Sequence, residues 1–362
     1  MKYRVLVVDG DDKKCKTFSL CLGMTKQFEV IALIRQKENE SLKYSRFIDK
    51  VILHQYAEAE LADFIKQTCI GHKIDLVFGL AIDAIDFLIT YKSVIEGPAR
   101  VQSLPDRSVF DLMNDKGSLA VFLEEKGIRA PARMTFDDDV NTLTYPLIIK
   151  PKNGQGGKGI FQCNTPEEFR STLDKINRDD CIIQEFIKGY DIDLSLLAKD
   201  GKILAYTIQR GIEESQYHEF SPCAAIEFSH NEKLYNLVSE FIRETNFSGV
   251  GHLDLRYDEA KDDFVIIEIN TRYWDSLIGS FVVAEINFPY LHAMATLGNP
   301  VEFNSFKTGV YITATAYVDF KMKRLKLNNY REKINFSHSG MRGYLNDPLY
   351  FIKSNLSRMF VR

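Results

Sequence analysis

Several familiar chemical signatures are missing from this chain. Its six cysteines (Cys15, Cys21, Cys69, Cys163, Cys181, Cys223) include no CxxC pair, so they read as reduced thiols and not as a disulfide frame or zinc site. Its seven histidines show neither HxxxH nor HExxH spacing, which argues against a zinc enzyme. The apolar runs fall far short of the ~20 residues a membrane span requires, so no transmembrane segment is expected. The start, MKYRVLVVDGDD, lacks the long apolar core and small-residue cleavage site of a signal peptide, and a cytoplasmic protein is expected. Lys and Arg total 46 against 50 Asp and Glu, a formal net charge of −4. That balance gives no basic excess to suggest nucleic acid. No GxGxxG follows the first strand-like run, no GxSxG occurs, and no repeat or low-complexity segment appears.

What is present is ordinary globular composition, 45% hydrophobic and 27% charged over 362 residues, long enough for two or three domains. The first hundred residues alternate strand-like runs (4–8, 28–33, 51–53, 76–78) with helical spacings (14–24, 58–68, 84–91). Such alternation predicts a parallel sheet with helices on both faces, a Rossmann-like α/β domain over 1–105. Ser103-Leu104-Pro105 marks its end. The spacing then predicts one helix over 109–126, stopped by Gly127. After Pro131 the pattern changes to α+β. Strands are expected at 145–150, 160–163, 181–186, 193–197 and 203–210, a helix at 234–245, and a hairpin of 251–257 with 263–270. Thr165 followed by Glu168 marks a helix start. The tail, 349–362, mixes apolar side chains with Lys353, Arg358 and Arg362; a helix docked on its own protein is favoured over a membrane-surface helix.

The chemistry concentrates in four segments. In 264–274, FVIIEINTRYW, the strand period of two places Glu268, Asn270 and Arg272 on one side. A carboxylate and an amide oxygen are hard ligands, and the guanidinium beside them is a fork for phosphate or carboxylate; the set suits Mg²⁺ on a nucleotide polyphosphate. Asp254, on the partner strand of that hairpin, can join them. His252 shares its face but reads as a structural hydrogen-bonding residue. The loop 153–159 has four glycines (Gly154, Gly156, Gly157, Gly159) around Lys158. Their backbone N–H groups can approach phosphate oxygens, yet strand–loop–strand replaces the Walker arrangement of strand–loop–helix. Lys150 closes the apolar strand before it. Finally, Glu185-Phe186-Ile187, with Gly189 and Asp191 after it, offers an apolar edge for a base and a carboxylate for ribose hydroxyls.

In this order the segments resemble the ATP-grasp superfamily, over roughly residues 114–277 and more loosely through the preceding α/β domain. The carriers are Asp115-Lys116 opening a helix, 145–150 with the 153–159 loop, Gln184-Glu185-Phe186 with Gly189 and Asp191, Asp254, and Glu268-Ile269-Asn270-Thr271-Arg272. The resemblance is strongest to the carbamoyl-phosphate-synthase-like group of stand-alone carboxylate–amine ligases. It implies an ATP-grasp domain over 106–302, a small lid subdomain near 133–187, and a C-terminal extension, 303–362, packed on that domain. It further implies that Lys116 and Lys150 contact ATP phosphates, that 154–159 forms a flap, and that Glu185, Phe186 and Ile187 meet adenine, largely through backbone. Asp191 takes the ribose place. Asp254, Glu268 and Asn270 hold Mg²⁺, two ions being expected and Mn²⁺ an acceptable substitute. Arg272 binds the transferred group, and Arg272 with Lys150 makes up the catalytic pair. The implied partners are a small-molecule carboxylate and an amine, and the implied reaction is ATP-dependent carbon–nitrogen ligation through an acyl-phosphate. A homodimer is the base-rate expectation. Competing readings are an ATP-grasp carboxylase or thiol ligase, or a non-catalytic nucleotide-binding scaffold. Thr271 departs from the family's frequent proline, and Asp191 and Asp254 from its frequent glutamate.

Overall fold

In the computed structural model, which describes residues 2–8, 12–35, 40–154, 158–216 and 223–353, the chain builds three sheets. The first contains β1 (Tyr3–Val8), β2 (Phe28–Arg35), β3 (Lys50–His54), β4 (Leu76–Gly79) and β5 (Arg100–Val101), all parallel, in the order β3-β2-β1-β4-β5. Both faces are covered, as the near-continuous apolar strands require. Leu6 and Val8 enter one cluster with Leu61, Ile65 and Leu88 of the helices Glu58–His72 and Ile82–Ile95. Val5 and Val7 point the other way, into the main core with Phe18 and Phe78.

The second sheet is small and antiparallel: β6 (Arg133–Met134), β7 (Leu147–Pro151), β8 (Phe161–Cys163) and β9 (Cys181–Glu185), in the order β6-β9-β7-β8. Leu147 and Ile149 face its own core with Cys163, Phe169 and Ile183. By alternation Ile148 and Lys150 face the other way. Thr165 caps the covering helix Pro166–Leu173, accepting from the Glu168 N–H at 3.2 Å.

The third sheet runs β14 (Asp263–Asn270), β13 (Gly249–Asp258), β10 (Asp191–Lys199), β11 (Lys202–Gly211), β12 (Ala225–Phe228) and β15 (Gly309–Ile312), antiparallel throughout. The helix Glu232–Thr245 turns Leu234, Val238, Phe241 and Ile242 onto it, a spacing that forms one helical stripe. Its first turn is capped by Asn231 and its last by Asn246 in the left-handed region. The segment beyond residue 302 supplies the edge strand β15. It also reaches the first layer, where the Asp347 carboxylate accepts from Ser45 Oγ at 2.5 Å and the Arg46 N–H at 3.1 Å.

The helix expected over 109–126 is two helices, Arg107–Asn114 and Lys116–Glu125. Asp115 breaks the run: it leaves the helical region at φ −108°, ψ 112° and its carboxylate accepts from the Ser118 N–H at 2.6 Å. A side chain that competes for backbone donors in this way favours a cap over a helix interior. Of the expected tail helix, residues 354–362 lie outside the described residues. Among the described residues no helix is long and apolar enough to cross a membrane.

Phe18, in the helix Asp12–Gly23, joins the layers: it is fully buried, its ring 5.1 Å from Phe78 of β4 and 5.3 Å from Tyr273 just beyond β14. Phe18→Ala is expected to cost about 3–5 kcal/mol, read as a lowered urea midpoint at unchanged m-value; a loss below about 1 kcal/mol would mean the site segment does not rest on this ring.

Candidate active site

The site is laid out by the register of the third sheet. Asp254 stands directly opposite Glu268 of β14 on one side and Asp193 of β10 on the other. His252 stands opposite Asn270 and Ser195. Directly opposed residues project to the same face, so a row of three carboxylates lies beside a row of Asn270, His252 and Ser195. A bulge between Asp254 and Leu255 then shifts the register, so the polar alignment is confined to the end of the hairpin nearest Arg272.

Cations arrive from three other places. Lys116, the first residue of its helix, puts Nζ 3.1 Å from Glu268 Oε2 and donates to the Gly154 carbonyl at 3.0 Å. Arg272, two residues past Asn270, donates from Nη2 to Asn270 Oδ1 at 3.2 Å and from Nη1 to the Tyr273 carbonyl at 3.0 Å. Lys150 comes from β7 of the small sheet. It is 4% exposed, lies in the fields of Glu268, Lys116 and Asp254, and makes no hydrogen bond or ion pair among the described residues.

These surroundings split the carboxylates. Burial, with Asp193 and Glu268 as like charges, pushes Asp254 well above the usual carboxylate range. Glu268 is partly buried, which would raise it, but Lys116, the hydrogen bond with Asp254 and Lys150 together hold it below its ordinary value. Burial raises Asp193 to about 7. His252, with Nδ1 2.8 Å from Ser195 Oγ, is lowered to about 4 by burial and by Arg272. Burial lowers Lys150 to about 8, against the pull of Glu268.

A second group of expected residues gathers around Arg256 of β13. Its Nη1 donates to Asp191 at 2.5 Å, its Nε to the Ile187 carbonyl at 2.6 Å and its Nη2 to the Gly189 carbonyl at 2.9 Å. Its guanidinium also lies 5.3 Å from the Phe186 ring centroid. The Glu185 carboxylate turns away, accepting from the Ala132 N–H at 2.9 Å. At Gly189, with φ 153°, an added Cβ would sit 1.8 Å from the Tyr257 carbonyl oxygen. Only glycine allows this close approach between the small sheet's exit and β13.

The site residues expected from sequence thus fall into two groups. Lys116, Gly154, Lys150, Asp254, Glu268, Asn270 and Arg272 form one; Glu185, Phe186, Ile187 and Asp191 form the other. Lys158 and Gly159 flank the loop, with Lys158 exposed and Gly159 at φ 76°. Gly156 and Gly157 lie outside the described residues. Sequence reasoning missed Asp193, Gln209 and Arg256 and set His252 aside. The alternation Asp191, Asp193, Ser195 within an otherwise apolar strand was the available signal.

Residues 113–276 match the family model of an ATP-grasp domain. Within that segment, a little under half of its length, the chain carries an ATP-grasp domain. Among curated relatives it is 23% identical over 193 residues to a D-aspartate ligase of Enterococcus faecium (strain Aus0004), covering 46% of this chain and 46% of the relative. The match thus spans about half the length of that relative. Among solved structures, an L-amino acid ligase from Bacillus licheniformis has a TM-score of 0.65 at 17% identity, covering 86% of this chain and 79% of that one. N5-carboxyaminoimidazole synthetase from Staphylococcus aureus, complexed with ADP, has a TM-score of 0.67 at 15% identity, covering 90% and 87%. These likenesses establish a shared fold.

The depressed Lys150 sets a pH dependence. Below about 8 the ammonium is charged in both folded and unfolded chains, so the full cost of burying it is present. Between about 8 and the ordinary lysine value of 10.5 the unfolded chain binds the extra proton, so stability rises with pH across that window. Lys150→Met is therefore expected to gain about 1–3 kcal/mol in urea unfolding at pH 7. The gain should shrink as pH rises through the window, and a variant less stable than the parent at pH 7 would contradict the burial cost. Gly189→Ala is expected to lose about 2 kcal/mol or more by the same measurement, whereas no loss would mean the Tyr257 contact yields freely.

Proposed function

We propose that this chain is an ATP- and magnesium-dependent ligase that joins a carboxylate to an amine through an acyl-phosphate, releasing ADP and phosphate. The observation that carries the reading is Lys150, a cation at 4% exposure with no hydrogen bond or ion pair among the described residues, poised over a row of carboxylates. Burying a charge unpaired is costly. A polyphosphate bridging Lys150 and Lys116, its charge offset by magnesium, supplies the missing partner. The donor set fits that ion: Asp254, Glu268 and Asn270 present hard oxygens from adjacent positions on one face. Bound there, magnesium would neutralise the phosphate oxygens. The segment 185–191 would take the base and ribose, with Arg256 holding its carbonyls in place.

In the reaction a substrate carboxylate oxygen attacks the γ-phosphorus and the bond to ADP breaks. The amine then attacks the acyl carbon, the carbon–oxygen bond to phosphate breaks, and the amine gives up a proton. Such a transfer needs positioning and charge stabilisation more than a protein nucleophile. Lys116 and Lys150 would orient the phosphates. Arg272, anchored on Asn270, would follow the transferred group. The small sheet and its 153–159 loop would act as a lid that keeps water from the acyl-phosphate. The units of this machine would be 1–105, 106–302 with the lid near 133–187, and 303–362. Relatives described as D-aspartate ligase and L-amino acid ligase support amino acids as the first substrates to try.

ADP release measured with mixtures of carboxylic and amino acids should depend on both mixtures. Glu268→Ala and Arg272→Ala should each lower it by about 100-fold or more, with nucleotide-induced thermal shifts recorded with and without Mg²⁺. An unchanged rate in either variant would sink the assignment, and binding without turnover on any mixture would favour a nucleotide-binding scaffold.

A further inference from the structure

Asp193 and His252 belong to neither the expected magnesium clamp nor the phosphate contacts, yet with Asp254 they form a compact group. One ligand atom from each lies within 4.8 Å of the others. His252 Nε2 is 3.5 Å from Asp254 Oδ1 and 3.9 Å from Asp193 Oδ2. Donors held at about 2.1 Å from a common ion stand about 3.0–3.5 Å apart, so a small inward adjustment closes the set. The other imidazole nitrogen, Nδ1, is 2.8 Å from Ser195 Oγ. With the proton on Nδ1 donated to that hydroxyl, Nε2 turns its lone pair towards the two carboxylates. Fixing a tautomer through the second nitrogen is the usual support of a metal-binding imidazole. The Trp274 indole stacks on the same ring, with centroids 5.7 Å apart and planes at 12°.

A second observation comes from β11. Gln209 stands directly opposite Asp193, and its side chain offsets part of the burial that raises the Asp193 carboxyl. The residue is 2% exposed and its Nε2 donates to Ser276 Oγ at 2.7 Å, while Oε1 has no partner among the described residues. An orphaned buried acceptor is costly, and a cation against the neighbouring acid would relieve it. Oxygen donors alone would suit magnesium; an imidazole among them shifts preference towards first-row transition metals.

We propose that Asp193, His252 and Asp254, beside the buried amide of Gln209, form a nitrogen-containing site for a divalent transition metal of the Mn²⁺, Co²⁺ or Zn²⁺ class. It lies beside the expected magnesium clamp and shares Asp254 with it. The site goes beyond the nucleotide reading and stands without it.

Titration of the nucleotide-free protein with Co²⁺, followed by visible absorption and calorimetry, tests the site. One equivalent should bind with the absorption bands of a nitrogen-ligated ion, Zn²⁺ should displace it, and Mg²⁺ at the same concentration should not. His252→Ala and Asp193→Asn should each weaken Co²⁺ binding by about tenfold or more. Glu268→Gln should leave it within about threefold, because Glu268 is not a ligand of this set. Unfolding midpoints recorded alongside show whether each variant is folded, and His252→Gln, which keeps a polar side chain, repeats the test if the alanine variant is not. Equal Co²⁺ binding by folded His252 variants, or its loss with Glu268→Gln, would overturn the proposal. Failure of ATP to bind would overturn the ligase reading and leave the cobalt result intact.

Discussion

Everything at the site depends on one register, the direct opposition of Asp193, Asp254 and Glu268 across three adjacent antiparallel strands. Like charges directly opposed destabilise a sheet, and the protonation pattern carries the strain. Asp254, between the other two, has its carboxyl pushed well above the ordinary range by burial and its like-charged neighbours, while Glu268 at the end is held below its ordinary value because Lys116 reaches it. The arrangement is unfavourable as architecture and suited to holding cations. It also explains why Lys116 sits where it does. Asp115 stops one helix and starts the next, so the new helix opens with an ammonium beside Glu268 and not one turn further along the surface.

The rest of the fold holds the surrounding elements against that register. Two ties of the small sheet and its exit matter most for the site. One is the backbone bond from the Lys116 N–H to the Lys152 carbonyl at 3.0 Å. The other is Arg256, which collects the carbonyls of Ile187 and Gly189 and the Asp191 carboxylate. On the far side the parallel layer meets the site segment through Phe18 on Tyr273 and through Lys13 Nζ at 2.6 Å from Asp275, and Tyr273 Oη is 3.0 Å from Nδ1 of His292, whose ring lies 5.1 Å from Phe78. The N-terminal layer therefore does more than precede the site. It fixes the chain immediately after Arg272.

Much of this was legible in the sequence because period two and period 3.6 separate cleanly where one face is buried. The FVIIEIN run fixed β14 and its polar end, and the Thr165–Glu168 pair fixed a helix start. Less legible was anything that depends on which strand lies beside which. Asp193 was read as an ordinary strand residue because its neighbours Asp254 and Gln209 are distant in sequence and meet it only through the β13-β10-β11 order. Arg256 was invisible for the same reason: its partners Ile187, Gly189 and Asp191 lie 65 or more residues earlier. The break at Asp115 was hidden by the favourable helical spacing on both sides of it. Only the competition between a side-chain acceptor and the helical backbone decides that break.

The departure at Thr271, where the family resemblance leads to an expectation of proline, has a local explanation in this chain. A proline would stiffen the backbone between the end of β14 and the arginine by fixing φ. Thr271 achieves a comparable restraint with its side chain: it is 2% exposed, and Asn114 Nδ2 donates to its hydroxyl at 3.1 Å. Asn114 in turn is the last residue of the helix that Asp115 terminates, its Nδ2 also donating to the Phe110 carbonyl at 2.7 Å. The hydroxyl thus links the end of β14 to the helix junction that presents Lys116. Glu268 and Asn270 on one side and Lys116 on the other are held by one buried amide–hydroxyl pair. A proline at 271 could fix its own backbone but could not make that connection, so the threonine couples the position of the acidic row to the position of the cation that balances it.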